Sequence, residues 1–418
     1  MRQPQAMPET VMVIGAGICG VSTAIWLRRA GHRVTLIDRA APGAGASYGN
    51  AGLMAQWALV PVSTPGLIRT GLKYLADPGS PLFLQWRRLP EMLPWLAQFS
   101  RRANDRDTRH TAQALLPLVG DSVDQHRALA TGTGAEKWLQ NSDVSFAYPT
   151  RAAFDADRYS WALREEIGLR PEIVEGPKVQ EAEPILGDTI RCLAVLRGHG
   201  HIADPGAYVT ALARGFEGMG GHIVRADVKD FEIENGQIAA VDTDAGRFAC
   251  DRAVLAAGIH SRPLMRKLGL KVPLMAERGY HLMFRNPSQM PRNPMMMTTG
   301  KFAVTPMQGG LRCAGTVEFA HPDSPPSPKP LRLLRRHAAR AFPGLRHDAV
   351  EEWVGSRPST PDSLPLIGEI GTTGIFAAFG HQHVGLTAGP KTGRWVAGLI
   401  SGQPPNTDLS PYDPGRYG

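Results

Sequence analysis

The chain has 418 residues, 43% hydrophobic and 20% charged, a composition that supports a large buried core and excludes a largely disordered protein. Its 46 Lys and Arg against 38 Asp and Glu leave a net charge of +8, yet the bases are scattered, with only short clusters such as Arg87-Arg88, Arg101-Arg102 and Arg335-Arg336. No basic stripe sits on a nucleic-acid module, so no nucleic-acid partner is expected. The length favours two domains. Cys19, Cys192, Cys250 and Cys313 stand far apart and form no CxxC, which matches neither a disulfide framework nor a zinc site. A reducing compartment, the cytoplasm, is the expectation.

The apolar run at 11–27 could pass for the core of a signal peptide, but Glu9 precedes it and three glycines at fixed spacing interrupt it. Those glycines explain it better. Thr10 to Ile14 reads as a buried strand, Ile18 to Ala30 as a helix stopped at Gly31, and Arg33 to Ile37 as a second strand closing on Asp38. Gly15-Ala16-Gly17-Ile18-Cys19-Gly20 lies between the first strand and the helix. This is a complete strand–GxGxxG–helix–strand–acid unit. Gly15 permits the tight turn, Gly17 lets the backbone approach a pyrophosphate, and Gly20 lets the helix pack close to the strand. The helix N-terminus, at Ala16 and Ile18, offers N–H groups to phosphates. Asp38, followed by Arg39, would accept from adenosine ribose hydroxyls.

FAD and NAD both use such a unit, and the following segments favour FAD. Residues 43–52 are mostly small, and Ser47, Asn50, Ala51, Gly52 and Leu53 suit a loop folded back over a long ligand. The stretch 80–130 has apolar spacing near 3.6 and is predicted to be mainly helical, covering a sheet or forming an edge. His222 to Val228 reads as one strand placing Val228 beside the adenine. Arg252 to Gly258 reads as a buried strand ending in the close turn Ala256-Ala257-Gly258. Ile375 to Gly380 is another buried strand, followed by His381, Val384, Gly385, Leu386 and Thr387 at the start of a helix reaching about Ile400. That helix would aim its N-terminus at the electron-rich edge of a flavin.

The motifs VIGAGICG, GASYGNAGLM, AVLAAGIHS, ERGYHLMF, GSRPSTPDSLPLIG and FGHQHVGLTAGPKTG occur in that order. Through them the chain resembles the D-amino-acid oxidase superfamily of flavoproteins, nearest to bacterial D-amino-acid and D-hydroxyproline dehydrogenases. The resemblance implies an α/β (α+β overall) protein. A Rossmann-like FAD domain is expected at 1–50, 196–262 and 353–418. A substrate domain on a mixed or antiparallel sheet is expected at 51–195 and 263–352. It implies oxidation of a small amino acid at its α-carbon, with D-amino acids including cyclic imino acids leading. Glycine, sarcosine, an opine or another secondary amine is the alternative substrate, and an accessory flavin subunit the alternative role.

Such chemistry needs the carboxylate held and the amine bound neutral, while the cofactor carries the hard step. Arg357, in an Arg-Pro-x-Thr context shared with glycine oxidases, is the expected carboxylate anchor because its fork binds carboxylate bidentately. His383 is expected over the substrate. Of Tyr280 and His281, adjacent on a strand, only one faces the site, and Tyr280 is preferred as a donor. Phe302 stands where glycine oxidases place a pocket tyrosine, and Met295-Met296-Met297 would form a soft wall if they line the pocket. The flavin is expected to be noncovalent, since no Cys or His sits in an attachment motif. Electrons are expected to leave to a quinone or another carrier, with oxygen as the alternative. Membrane association at the inner face would be at most peripheral.

Overall fold

The computed structural model describes residues 7–67, 71 and 81–418. Six strands form one sheet, in the spatial order Leu366–Glu369, Ile375–Phe379, Arg252–Leu255, Thr10–Ile14, Arg33–Asp38, His222–Arg225. All neighbours are parallel except the Leu366–Glu369 edge. Side-chain alternation explains the nearly continuous apolar sequence of its inner strands. Val11 and Val13 enter the core beneath helices Ile18–Arg29, Pro205–Gly218 and Gly385–Ile400. Met12 and Ile14 enter the opposite core, under a three-stranded antiparallel sheet formed by Val228–Glu234, Gln237–Thr243 and Gly246–Ala249.

The expected strand over 222–228 is therefore two strands. Arg225 ends the first, Ala226 N donates to Asp38 O (3.0 Å) and Asp227 N to Asp244 Oδ1 (2.8 Å), and the chain leaves one sheet for another.

The second large sheet has nine strands and is mixed. Its main path runs Ala349–Ser359, Met275–Arg285, Gly310–Phe319, Phe302–Met307, Met295–Met297, Leu139–Tyr148, Cys192–Ile202, Glu172–Glu175. The Pro328–Ala341 helix covers one face, burying Leu331, Leu334 and Ala338 against Tyr280, Leu282 and Phe284. The expected domain limits at 195/196 and 352/353 fall inside two strands of this sheet. Strand pairing, which a linear reading of punctuation cannot see, keeps both strands whole.

The helical stretch expected at 80–130 (residue 80 lies outside the described residues) contains helices Leu89–Arg101, Asp105–Val119 and Ser122–Ala130. The last two bury Leu115, Leu118, Val123 and Leu129 in the core of the six-stranded unit, not in that of the nine-stranded sheet.

The turn after Thr10–Ile14 depends on two glycines. Gly15 has φ +107°, and a Cβ there would lie 2.6 Å from Ala256 O. A Cβ on Gly20 would lie 1.8 Å from Gly15 O, a backbone atom with nowhere to go. Gly20→Ala should therefore destabilise the fold by roughly 1–3 kcal/mol or more. Urea unfolding measures this, and an unchanged midpoint would show that the helix can back away from the strand.

Candidate active site

A cavity of about 1090 Å³ runs between the two sheets. It starts at Val228, passes the Gly15–Gly17 turn and the 43–53 loop, and reaches Gly385, Leu386 and Thr387. Two helices open onto it. Ile18–Arg29 begins at Gly17 with no side-chain cap and no acid in its first turn, and Gly385–Ile400 begins the same way at Val384. Ile18 N and Ala16 N, expected to face phosphates, are taken by Ser47 and Asp38, so it is the remaining first-turn N–H groups and the positive helix ends that suit phosphate in the first case and an electron-rich ring edge in the second. The length, the two helix ends and the glycine turn fit a dinucleotide such as FAD.

The wall residues anticipated from sequence are mostly there. Asp38 Oδ2 accepts from Ala16 N (2.6 Å) and Oδ1 from Ala40 N (2.8 Å), which fixes the carboxylate at the cavity edge with lone pairs to spare. Arg39 donates to His260 Nε2 (2.7 Å) beside Ala257 and Gly258, which also line the cavity. Ser47 Oγ accepts from Ile18 N at 3.0 Å. Asn50 closes its loop by accepting from Gly52 N (2.8 Å). Ala51 and Leu53 continue the wall, and Thr387 Oγ1 accepts from Ala55 N (3.2 Å). Three residues stand behind that wall. Gly20 packs the helix on the turn, Gly380 turns the chain at φ +90°, and Val384 points into the helix-side core. His381 is buried, with Nε2 2.9 Å from Thr392 Oγ1 and Nδ1 3.6 Å from Cys19 Sγ.

Arg357 lies directly across the strand pair from Glu277. Its Nη1 donates to Glu277 Oε1 at 2.8 Å, and Ser359 Oγ donates to Oε2 at 3.1 Å. Among the described residues Nε and Nη2 make no hydrogen bond, and both residues line the cavity. Gly279 makes room: a Cβ there would lie 2.4 Å from Arg357 Nη2. His383 is exposed to the cavity near this pair. Although the ring is open to the cavity, the protein around it lowers its pKa below the ordinary histidine value, against the pull of Glu277 and together with that of Arg357.

Tyr280 is corrected by the same register. Glu277, Gly279 and His281 alternate onto the Arg357 face; Arg278, Tyr280, Leu282 and Phe284 take the other. Although Tyr280 borders the cavity, its ring packs in the core and its hydroxyl donates to Glu318 Oε2 (2.5 Å) and accepts from Ser327 N (3.1 Å). His281 shares the face of Arg357 but not its cavity: it donates from Nδ1 to Gly49 O (2.9 Å), stacks on Trp353 and borders a separate small pocket beside Tyr48, Arg285 and Arg312. The apolar Leu282 and Phe284, in step with Tyr280, carried that signal in the sequence. Phe302 likewise turns into the core near His337, and its neighbours Lys301 and Ala303 line the cavity. Met295 and Met297 fill the core, and Met296 alone of the three lines the wall. Glu277 and the Trp57–Phe146–Arg164 end of the cavity had no signal in one dimension.

Burial lowers the pKa of His126, His199, His201 and His281 to about 4 and of His381 to about 3. Unfolding returns each to about 6.5, so below that pH the unfolded chain binds more protons. Stability should be full above pH ~6.5 and fall as the pH drops toward ~4, by up to ~1.4 kcal/mol per pH unit for each histidine. Denaturant titrations between pH 7.5 and 4.5 measure this. A flat profile would mean that these rings are not held neutral.

Comparison with known proteins agrees with this geometry. The profile of the DAO family, described as FAD dependent oxidoreductase, matches residues 10–399. The chain is 40% identical to a D-amino-acid oxidase of Bradyrhizobium diazoefficiens, the match covering 98% of this chain and all of the relative. It is 29% identical to a D-amino acid dehydrogenase of Sinorhizobium medicae, again over 98% of this chain and all of the relative. The glycine oxidase structure from Geobacillus kaustophilus superposes with a TM-score of 0.75 at 23% identity, covering 98% of this chain and 99% of that one. L-proline dehydrogenase from P. horikoshii gives 0.72 at 19% identity, covering 98% of each. At such identities these two structures speak to the fold alone. A cavity built for a dinucleotide, a glycine turn that admits its phosphates and a family match across nearly the whole chain place this protein in the DAO family of FAD-dependent oxidoreductases, as an enzyme whose cofactor is FAD.

Proposed function

We propose that the enzyme oxidises amino acids at the α-carbon, with D-amino acids, cyclic imino acids among them, as the preferred class. The observation that carries this reading is Arg357, a cation on the wall of the flavin cavity with one nitrogen engaged and two free to take a carboxylate. The relatives bearing the names D-amino-acid oxidase and D-amino acid dehydrogenase support it. Bound FAD supplies a two-electron hydride acceptor.

The residues supply orientation. Glu277 holds Nη1 and so turns the remaining guanidinium edge toward the cavity, where a substrate carboxylate would bind through paired hydrogen bonds. His383, its pKa lowered below the ordinary histidine value, can accept a hydrogen bond from the substrate amine and so help to orient it. Gly279 and Gly355, opposite each other in register, keep the wall beside Arg357 free of side chains.

Noncovalent flavin is part of the proposal, supported by the burial of all four cysteines and by the engagement of both His381 nitrogens. For the acceptor we infer a quinone or another carrier, after the dehydrogenase relatives, with oxygen as the alternative after the oxidase relative. Among the described residues no helix is long and apolar enough to cross a membrane.

Anaerobic mixing with D-, L- and N-methyl amino acids, followed by oxygen or a quinone analogue, should bleach the flavin fastest with a D-amino acid and restore it fastest with quinone. Faster bleaching by L- or N-methyl compounds would sink the substrate reading, and reoxidation by oxygen as fast as turnover would make the enzyme an oxidase. Arg357→Lys keeps the charge but loses the fork, and should lower kcat/KM by about 10- to 100-fold while FAD stays bound. An unchanged kcat/KM for every substrate would reduce Arg357 to a structural partner of Glu277.

A further inference from the structure

The Leu89–Arg101 helix is apolar on two faces, and the described residues cover only one of them. Met92 and Trp95 are buried against Phe319, Phe99 packs beside them, and Trp95 Nε1 donates to Ser359 O at 3.1 Å. On the opposite face Pro90, Leu93, Pro94 and Ala97 are exposed, in line with Trp86 of the short turn that leads into the helix. The spacing 86, 90, 93, 97 keeps one helical face. After Met7, Trp86 at 61% and Leu93 at 53% are the most exposed large apolar side chains among the described residues. A helix that is apolar all round is ordinarily buried all round. The Pro328–Ala341 helix has the usual arrangement, its outer face presenting Lys329, Arg332, Arg335, Arg336 and Arg340 to water.

Cations border the apolar strip. Arg87 stands at its start and Arg101 and Arg102 at its end, all exposed. Arg88 and Arg262 both act on Glu91, and Arg266 lies one turn from Arg262 on the Ser261–Lys267 helix. Glu91 is bound to Arg88 at 2.6 Å and so offsets a single one of these charges. A strip of five side chains is small beside the ~800 Å² that each partner buries in a stable dimer. A two-fold contact through it would also set arginine against arginine. An anionic bilayer suits both features. The apolar side chains would enter the acyl boundary, the indole would sit at the interface, and the arginines would meet lipid phosphates.

We infer that this face docks the enzyme on an anionic membrane surface. The candidate site stands beside it. Leu82–Leu84, just before the helix, pairs with Val317–Phe319, and Val317 lines the cavity. Ser359, which takes the Trp95 bond, also holds Glu277, the partner of Arg357. Docking would therefore bring an acceptor dissolved in the bilayer next to the Arg357 end of the cavity. The inference extends the reading of a quinone acceptor without resting on it, because docking is measured with no acceptor present.

The FAD-loaded enzyme is sedimented with vesicles of phosphatidylcholine, alone or mixed with phosphatidylglycerol, at low and high salt. Binding to the mixed vesicles should be about 10-fold or more tighter than to phosphatidylcholine, and weaker at high salt. Trp86→Ser with Leu93→Ser, and separately Arg87→Glu with Arg101→Glu, should each weaken it by about 10-fold or more. FAD content and turnover with a water-soluble dye should stay at the parent level in both. If the first pair loses FAD, Leu93→Gln alone takes its place and should weaken binding by about 3-fold. Failure to sediment with anionic vesicles at low salt overturns the inference. So does binding that ignores the loss of Trp86 and Leu93, which would be the general adhesion of a basic protein. Self-association in solution that the same pair abolishes, read by light scattering, would make the face a contact between copies of the chain instead.

Discussion

The segment from Ser47 to Ala55 is the constraint on which both halves of the molecule depend. The nucleotide unit holds it through Ile18 N on Ser47 Oγ and through Thr387 Oγ1, which accepts from Ala55 N and donates to Leu53 O. The nine-stranded sheet holds it through His281 on Gly49 O, Arg312 on Tyr48 O and Asn50 O, and Thr305 on Ala51 O. Its carbonyls are consumed by side chains of the far sheet, so the loop cannot shift without breaking buried hydrogen bonds. That fixes the width of the cavity between the sheets. It also explains why His281, on the same strand as Glu277, serves the loop.

Charge is distributed unevenly along the same cavity. At one end Glu277 offsets part of the Arg357 charge and aligns its fork, and Ser359 holds the carboxylate in turn. At the other end Arg164 lies against two aromatic faces, with Asp157 acting on it through space. Neutral His383 adds a polar contact near Arg357 without adding a second positive charge there.

The dinucleotide turn was fully legible in the chain because its determinants are local. Gly20 answers to Gly15 of its own turn, Gly15 takes a positive φ that the turn itself requires, and Asp38 closes on Ala16 at the end of the next strand. Four of the five strands named from apolar runs match those found, and the fifth, His222 to Val228, breaks where the chain changes sheet, since periodicity cannot say when a strand leaves its neighbours. The order of motifs likewise fixed the family and the cofactor, because six short segments in sequence specify one way of wrapping a chain around FAD.

What only tertiary structure decided is which side chains meet across strands distant in the chain. Glu277 is Arg357's partner through cross-strand register, a property of pairing that neither strand encodes alone. Tyr280 and His281 differ by one position, and packing of the Pro328–Ala341 helix against one face assigns the first to the core and the second to the loop on the other side. Arg164 was invisible from sequence for the same reason. Its burial against Phe146 depends on how its helix packs on a strand of the nine-stranded sheet, which long-range packing decides, whereas the close contact at Gly20 is with Gly15 of its own turn.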